Sequence, residues 1–430
     1  MPALIDFPTE RGHDVHAQAR DAQTCWADKP IAHRLRFVRE LRHLIAENAE
    51  SLALVAAAIG DRPTEEKLVS EVLPLADACR WLEKSAAQVL APRRAGSRGR
   101  PFWLRGFSFE VQRQPFGLVL VIGPGNYPLF IPAVHALHAL AAGNAVLLKP
   151  APGTRNIAIF FAELACGAGF DPALLTILPE SVDAARETIA VGVDKVIFTG
   201  SSENGRDVLA DLAKSNTPAA MELSGEDAVL VFADADLDLV VRALGFGTRL
   251  NNGRTCIAPR RLIVVQSIAD DLLARMAAAR VPRLPIERVR DEAAAVLCAN
   301  AADFALGASI FSRDIARARS LAVRIKTGFV LINDLIAPTA DPRLPFGGVK
   351  ASGFGTTRGE EGLLEMTFPH VVALRRGNSH PHFDESEAGD AKIFSSYIRA
   401  VHGRSRTRFR ALRDLSGALL GKIKNRKTNS

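Results

Sequence analysis

The chain has few cysteines and no pattern among them. Cys25, Cys79, Cys166, Cys256 and Cys298 are an odd number, widely spaced over 430 residues, with no Cys-x-x-Cys pair. That argues against a disulfide framework and against a zinc site, so no metal is expected. No stretch is apolar for the roughly 20 residues a membrane-spanning helix needs. The opening residues, Met1-Pro2-Ala3-Leu4-Ile5-Asp6, lack the basic segment and apolar run of a secretory leader. Together these absences predict a reducing, cytoplasmic location. Internal repeats are also missing. No Gly-x-Gly-x-x-Gly fingerprint follows any apolar strand. Gly123-Pro124-Gly125 is too short to qualify, so the fingerprint alone does not point to a dinucleotide.

Acidic residues are scarce in one region only. The net charge is +7, but residues 392–430 hold eleven Lys or Arg and a single acid, Asp414, for a net of +10. The rest of the chain is therefore at −3. Basic character belongs to the tail, and nothing points to nucleic-acid binding by the body. Within the tail, Ile393, Phe394, Tyr397, Ile398 and Val401 share one helical face, and Leu412, Leu415, Leu419 and Ile423 share another. This is the pattern of a segment that lies peripherally on an anionic membrane surface. A solvated helix, a partner-packed helix and disorder are the alternatives.

What is present is ample apolar sequence, 48% of residues, in a length that suits two or three domains. Residues 14–58 and 65–90 carry apolar positions at helical spacing, with a turn at Gly60–Thr64. Residues 92–106 are rich in Gly, Pro and Arg and read as a loop. From residue 117 short apolar strands alternate with helices: Leu118–Ile122, Ala145–Leu148, Leu174–Leu178, Lys195–Phe198, Ala220–Leu223 and Val229–Phe232. Such alternation implies an α/β fold with a parallel sheet covered on both faces, and ligands beyond the carboxyl ends of its strands. A shorter alternating region runs from about 257 to 350, with strands near Leu262–Val265, Ala308–Phe311 and Phe329–Ile332. Residues 369–374 read as a returning strand and 377–390 as a polar linker.

The most informative residue is Cys256, in Asn251-Asn252-Gly253-Arg254-Thr255-Cys256-Ile257-Ala258-Pro259-Arg260. A thiol after a polar, Gly-bearing turn and before an apolar strand suits a nucleophile, with an electropositive loop expected to lower its pKa. A small core hydrophobe is the plainer reading of a single Cys. Upstream lie Met221-Glu222-Leu223-Ser224-Gly225, Phe198-Thr199-Gly200-Ser201, Leu148-Lys149-Pro150 and Ile122-Gly123-Pro124-Gly125-Asn126-Tyr127-Pro128-Leu129. Downstream lies Pro345-Phe346-Gly347-Gly348-Val349-Lys350-Ala351-Ser352-Gly353.

In this order the segments resemble the aldehyde dehydrogenase superfamily, over roughly residues 20–375. The resemblance implies a Rossmann-like cofactor domain at 117–225, preceded by N-terminal helices at 1–106 that pack on it. It implies a second, smaller α/β catalytic domain at 226–350 and a return helix at 351–366. A small β oligomerisation element at 107–116 and 367–376, and a linker and basic tail at 377–430, complete the outline. It also implies NAD or NADP as cofactor and an aldehyde as substrate, taken to the acid through a thiohemiacetal and a thioester. Cys256 matches the nucleophile, Asn126 the side-chain oxyanion donor and Glu222 the base. A well-placed oxyanion donor is worth about 3 kcal/mol. Gly200 and Ser201 match the turn on the pyrophosphate, Lys149 the lysine on the adenosine ribose, Pro124 the adenine–ribose loop, and Phe346 a residue near the nicotinamide. The short N-terminal region and basic tail resemble the class acting on fatty and aromatic aldehydes, often as homodimers.

Two departures stand out. After Lys149-Pro150 the chain has Ala151-Pro152 where relatives carry a polar or acidic residue, which leaves NAD against NADP open. Pro345 follows Cys256 by only 89 positions, and no Glu-x-Phe-Gly-Pro run lies between them. Glu287, in Pro285-Ile286-Glu287-Arg288-Val289, is the nearest acid before the next helix. A shortened catalytic domain raises two further readings, a silent homologue that binds without turnover and an acyl-thioester reductase. Glu222, as a water-activating base, speaks against the second.

Overall fold

The computed structural model describes residues 12–428 except 61, 379, 381 and 388. The opening Met1–Asp6 and the side chain of Ile423 lie outside the described residues. These divide into two compact units. One holds the residues up to Ala95 and Phe109–Val372; the other holds Gly96–Ser108 and the chain from Ala373 onward.

The larger unit contains two parallel sheets. The first runs Gly353–Phe354, Ala219–Glu222, Lys195–Thr199, Leu118–Ile122, Ala145–Lys149 and Leu175–Ile177, parallel throughout except for the two-residue strand Gly353–Phe354. Its central strand Leu118–Ile122 is buried at every position, and so is Ala145–Lys149. Unbroken apolar runs of this kind need helices on both faces. Helices Phe130–Ala142, Arg155–Gly167, Val182–Val191 and Ser202–Leu212 provide them, together with N-terminal helices Gly12–Ala27, Ile31–Glu47 and Ala49–Ala58. Leu35, Val38, Leu41 and Ile45 join one core with the strand residues. Trp26 ties the layer down by donating its indole N–H to Leu140 O at 2.8 Å.

The second sheet is ordered Ile286–Val289, Pro259–Val265, Asp227–Val231, Gly307–Phe311 and Phe329–Ile332, all parallel. Val229–Phe232, the last strand of the long alternating run, thus opens this second sheet.

Three local expectations are corrected. The loop at 92–106 contains a strand, Arg93–Ala95, paired antiparallel to Phe107–Pro115. The helical run at 65–90 is interrupted by a π-helical turn, Leu68–Val72, between Thr64–Lys67 and Leu73–Val89. The return helix is shorter than 351–366, covering only Gly359–Leu364. A three-stranded sheet orders Arg93–Ala95, Phe107–Pro115 and Thr367–Arg375, with the last at its edge.

Candidate active site

In the first sheet the chain winds outward from Leu118–Ile122 on one side, then returns to build Lys195–Thr199 on the other. That reversal opens a crevice beyond the carboxyl ends of the two strands, the usual ligand position in such sheets. A cavity of about 580 Å³ lies there. Pro124, Asn126, Lys149, Gly200, Ser201, Glu222 and Cys256 all border it. Seven of the eight residues singled out from the sequence are therefore brought together.

The turn before Cys256 is held from outside. Asn251 and Asn252 adopt left-handed backbone, φ 54° and 50°, which asparagine tolerates better than most residues. Asn251 is buried; its N–H donates to Glu66 Oε1 at 2.9 Å, and Arg62 donates to its side-chain oxygen. Its amide donates in turn to Asn126 O at 2.8 Å. Asn126 closes the circuit, donating from Nδ2 to Arg254 O at 2.8 Å. The neighbouring Tyr127 hydroxyl pairs with Thr255 Oγ1 at 2.7 Å. The nucleophile and oxyanion-donor candidates thus share one hydrogen-bonded scaffold, anchored on the N-terminal helices. Within the π-helical turn, Glu71 adds to it. It pairs with buried Lys67 and accepts from Leu129 N and Phe130 N, at 2.7 and 3.2 Å, where the helix after Asn126 begins.

Glu222 ends the strand Ala219–Glu222, beside Thr199 in register. Gly353 pairs with it from the other side. Ser352 fixes the following residues. Its carbonyl accepts from Leu223 N at 3.0 Å, and its hydroxyl donates to Ser224 O at 2.7 Å. The Lys350-Ala351-Ser352-Gly353 segment therefore buttresses the base candidate. Gly225 lets the loop reach the thiol-bearing turn, since a Cβ there would come within 2.7 Å of Cys256 O.

The electrostatics differ from expectation at Cys256. Burial, with the Glu222 and Asp227 carboxyls near it, pushes the thiol pKa up, where a lowered value was expected. Burial likewise raises the Glu222 carboxyl, and its Oε2 has no hydrogen-bond partner. Asp227, in contact with Gly307 N, is raised by burial to about 7. The cation opposing the shifts of Cys256 and Glu222 is Arg358, a residue with no sequence motif to announce it. Its guanidinium is buried, stands 4.3 Å above the Phe346 ring centre and donates to Thr339 O at 2.5 Å. It lowers the pKa of both Cys256 and Glu222. Sequence reasoning also passed over Tyr127, Asn251 and Asp227. Asn-Asn-Gly hinted at the left-handed turn, and an acid opening an apolar strand hinted at Asp227.

On the cofactor side, Gly200 donates its N–H to Glu222 O at 3.0 Å, and a Cβ there would strike the Phe198 ring at 2.7 Å. Ser201 caps the helix Ser202–Leu212, accepting from Asn204 N at 3.2 Å. Lys149 is buried at its strand end, and burial lowers its pKa. Glu180 lies near enough to oppose that shift, with its carboxylate on Gly153 N and Arg155 N. Phe346 belongs to the second sheet's core beneath Arg358 and is not among the residues that line this cavity. Glu287 is also engaged elsewhere, paired with Arg261 and accepting from Cys298 Sγ at 2.7 Å. Among the described residues no cluster of His, Cys, Asp and Glu could hold a metal ion.

The model of the aldehyde dehydrogenase family matches residues 8–281 and 280–372. The chain belongs to the aldehyde dehydrogenase family. It is an oxidoreductase of that family, and aldehyde oxidation is the reaction the family performs. The 4,4'-diapolycopene aldehyde oxidase of a Methylomonas species is 27% identical, over 93% of this chain and 89% of that protein. The succinate-semialdehyde dehydrogenase [NADP(+)] of Deinococcus radiodurans is 28% identical, over 86% and 90%. An NAD-dependent aldehyde dehydrogenase from Sinorhizobium meliloti superimposes with a TM-score of 0.81 at 26% identity, covering 88% of this chain and 90% of that one. The two family matches meet at residues 280–281, between the helix Ala269–Ala278 and the strand Ile286–Val289. The 475-position alignment with the Methylomonas protein, longer than the 430-residue chain, leaves positions without a counterpart here.

Proposed function

We propose that this aldehyde dehydrogenase oxidises an apolar or aromatic aldehyde to its carboxylic acid, with NAD or NADP accepting the hydride. One observation carries the reading: Cys256, Glu222 and Asn126 come from three separate segments yet border one cavity, which Gly200 and Lys149 border as well. The cavity suits a dinucleotide. A side-chain-free Gly200, the start of the helix Ser202–Leu212 and a buried lysine make a cradle for phosphate and ribose. When bound, the cofactor supplies the hydride acceptor.

Glu222 takes the Cys256 proton, and the sulfur adds to the aldehyde carbon. The Asn126 amide spends one hydrogen on Arg254 O and keeps the other for the developing oxyanion. Loss of hydride leaves a thioester on Cys256. Glu222 passes the thiol proton to solvent, and its freed carboxylate, whose affinity for protons is raised by burial, then draws a proton from water, which cleaves the thioester. Arg358 balances the negative charge that moves between thiolate and carboxylate. A panel of aldehydes with NAD and with NADP, followed at the absorbance of the reduced cofactor, tests the reading. No reduction with any pair would overturn it.

The missing segment favours a second reading, a homologue that binds cofactor without turnover. It would bind NAD or NADP in titration calorimetry while Cys256 forms no acyl adduct. We also propose a homodimer through the edge strand Thr367–Arg375, which exposes Phe368, Val371, Val372 and Leu374. Open apolar edges of this length are normally paired. Val371→Lys should then yield a monomer by light scattering; an unchanged mass would remove the strand from the interface.

A further inference from the structure

The smaller unit has a surface that neither the fold nor the reaction uses. Its helices Asp390–His402 and Ser405–Thr428 pack on each other around Gly403, where Arg408 Nε donates to Ala400 O at 3.0 Å. The packing inverts the usual rule. The first helix turns the small residues Ser396 and Ala400 inward and leaves Phe394, Ile398 and Val401 exposed. Those three follow at intervals of four and three, a single stripe along the helix. The second helix exposes Leu412, Leu419 and Leu420, and Phe409 at 79%. The 3₁₀ turn Phe102–Leu104 belongs to the same unit. Its Phe102 joins Tyr397, Val401, Phe409 and Leu412 around a cavity of about 600 Å³, and Trp103 next to it is 66% exposed.

Large aromatic and aliphatic side chains left in water in this number mark an interaction surface. Its charge says of what kind. Arg406, Arg410 and Arg413 are exposed on the second helix, within a segment carrying a net +10 over residues 392–430. No helix among the described residues is long and apolar enough to cross a membrane. Apolar stripes flanked by arginine, with Trp and Phe at their margin, match the headgroup boundary of a bilayer, where aromatic rings and cations both find favourable partners.

We propose that this unit docks on the surface of an anionic phospholipid bilayer, with Phe394, Ile398, Val401, Phe409 and Trp103 entering the headgroup boundary and the arginines meeting lipid phosphates. A plane of diffuse negative charge accepts cations spread along two helices, whereas a folded acidic partner needs matched positions. Docking is independent of the catalytic reading, so it is tested by binding and not by turnover.

The test is co-sedimentation of the full chain with vesicles of phosphatidylcholine alone and of phosphatidylcholine with phosphatidylglycerol. Binding should require phosphatidylglycerol and fall sharply at ~1 M salt, where the Debye length is about 3 Å. Each arginine near the surface is worth roughly a fivefold change in partitioning, so Arg406→Gln with Arg410→Gln and Arg413→Gln should weaken binding by about a hundredfold. Phe409→Ser with Leu412→Ser should weaken it at low salt too. In the folded full chain, brominated lipid should quench Trp103 fluorescence, and Trp103→Phe should abolish that quenching. Equal sedimentation with both vesicle types would overturn the proposal. So would absence of binding in a chain whose arginine variants instead change its mass in solution, since that assigns the surface to a second copy.

Discussion

Asp227→Asn separates two consequences of a buried carboxyl. Asp227 begins the strand Asp227–Val231, and its Oδ1 accepts from Gly307 N at 3.1 Å. A Cβ on Gly307 would come within 2.4 Å of the other oxygen, so the strands close over the group. Burial raises its pKa from 3.8 to about 7, against the opposing pull of the Gly307 N–H, Arg260 and Arg261. Between those values the folded chain holds a proton that the unfolded chain has lost. The stability this group contributes is complete below the unfolded pKa and disappears as pH rises through the folded one. At ~pH 8 the cost approaches about 4 kcal/mol, from 1.36 kcal/mol per pKa unit. Asparagine keeps the carbonyl oxygen for Gly307 N and carries no charge. The variant should therefore resist urea better than the parent at ~pH 8, by roughly 2–4 kcal/mol, and the gap should close toward ~pH 4. The same change removes a carboxyl that raises the Cys256 pKa. Iodoacetamide should accordingly label Cys256 faster at a fixed pH near neutrality. An equal gain at both pH values, or none at either, would refute the burial argument.

Two further predictions address the reaction. Glu222→Gln should slow thioester cleavage more than acylation, giving a burst of reduced cofactor and then a very slow steady state; an unchanged steady rate removes Glu222 from the mechanism. In the parent, because burial raises the Glu222 pKa, cleavage should weaken as pH falls through that raised value. Arg358→Met deletes the cation that lowers both Cys256 and Glu222. Removing one member of a buried charged set typically costs about 3–5 kcal/mol. The variant should be less stable, and the pH profile of Cys256 alkylation should move to higher pH; a profile that stays in place makes Arg358 a packing residue only.

The parallel strands were legible because most run apolar with little interruption, and the central ones are buried on both faces. Leu118–Ile122 and Phe329–Ile332 coincide with the observed limits, and other strands differ by a few residues at their ends. Ile286–Val289 was missed because it lies at a sheet edge, where Glu287 and Arg288 face water and break the pattern. Arg93–Ala95 and Gly353–Phe354 exist through pairing with distant strands, and three or two residues carry no periodicity. At the site, Cys256, Glu222 and Asn126 were readable from local motifs. Arg358 was not, since Thr357-Arg358-Gly359 looks like any polar turn and only the tertiary fold seats the guanidinium over Phe346. The sign of the Cys256 shift was misread for a related reason. Arg254 and Arg260 are visible beside Cys256 in the sequence, but the burial and the two carboxyls that raise the thiol come from the tertiary fold.

The central claim is that Cys256 carries the acyl group. Mass spectrometry of the protein quenched after mixing with an aldehyde substrate and NAD or NADP tests it most directly. The account predicts an acyl adduct on the Cys256 peptide alone, accumulating further in Glu222→Gln and absent in Cys256→Ala, which retains cofactor binding. An adduct on Cys166 or Cys298, or full turnover in Cys256→Ala, would contradict it.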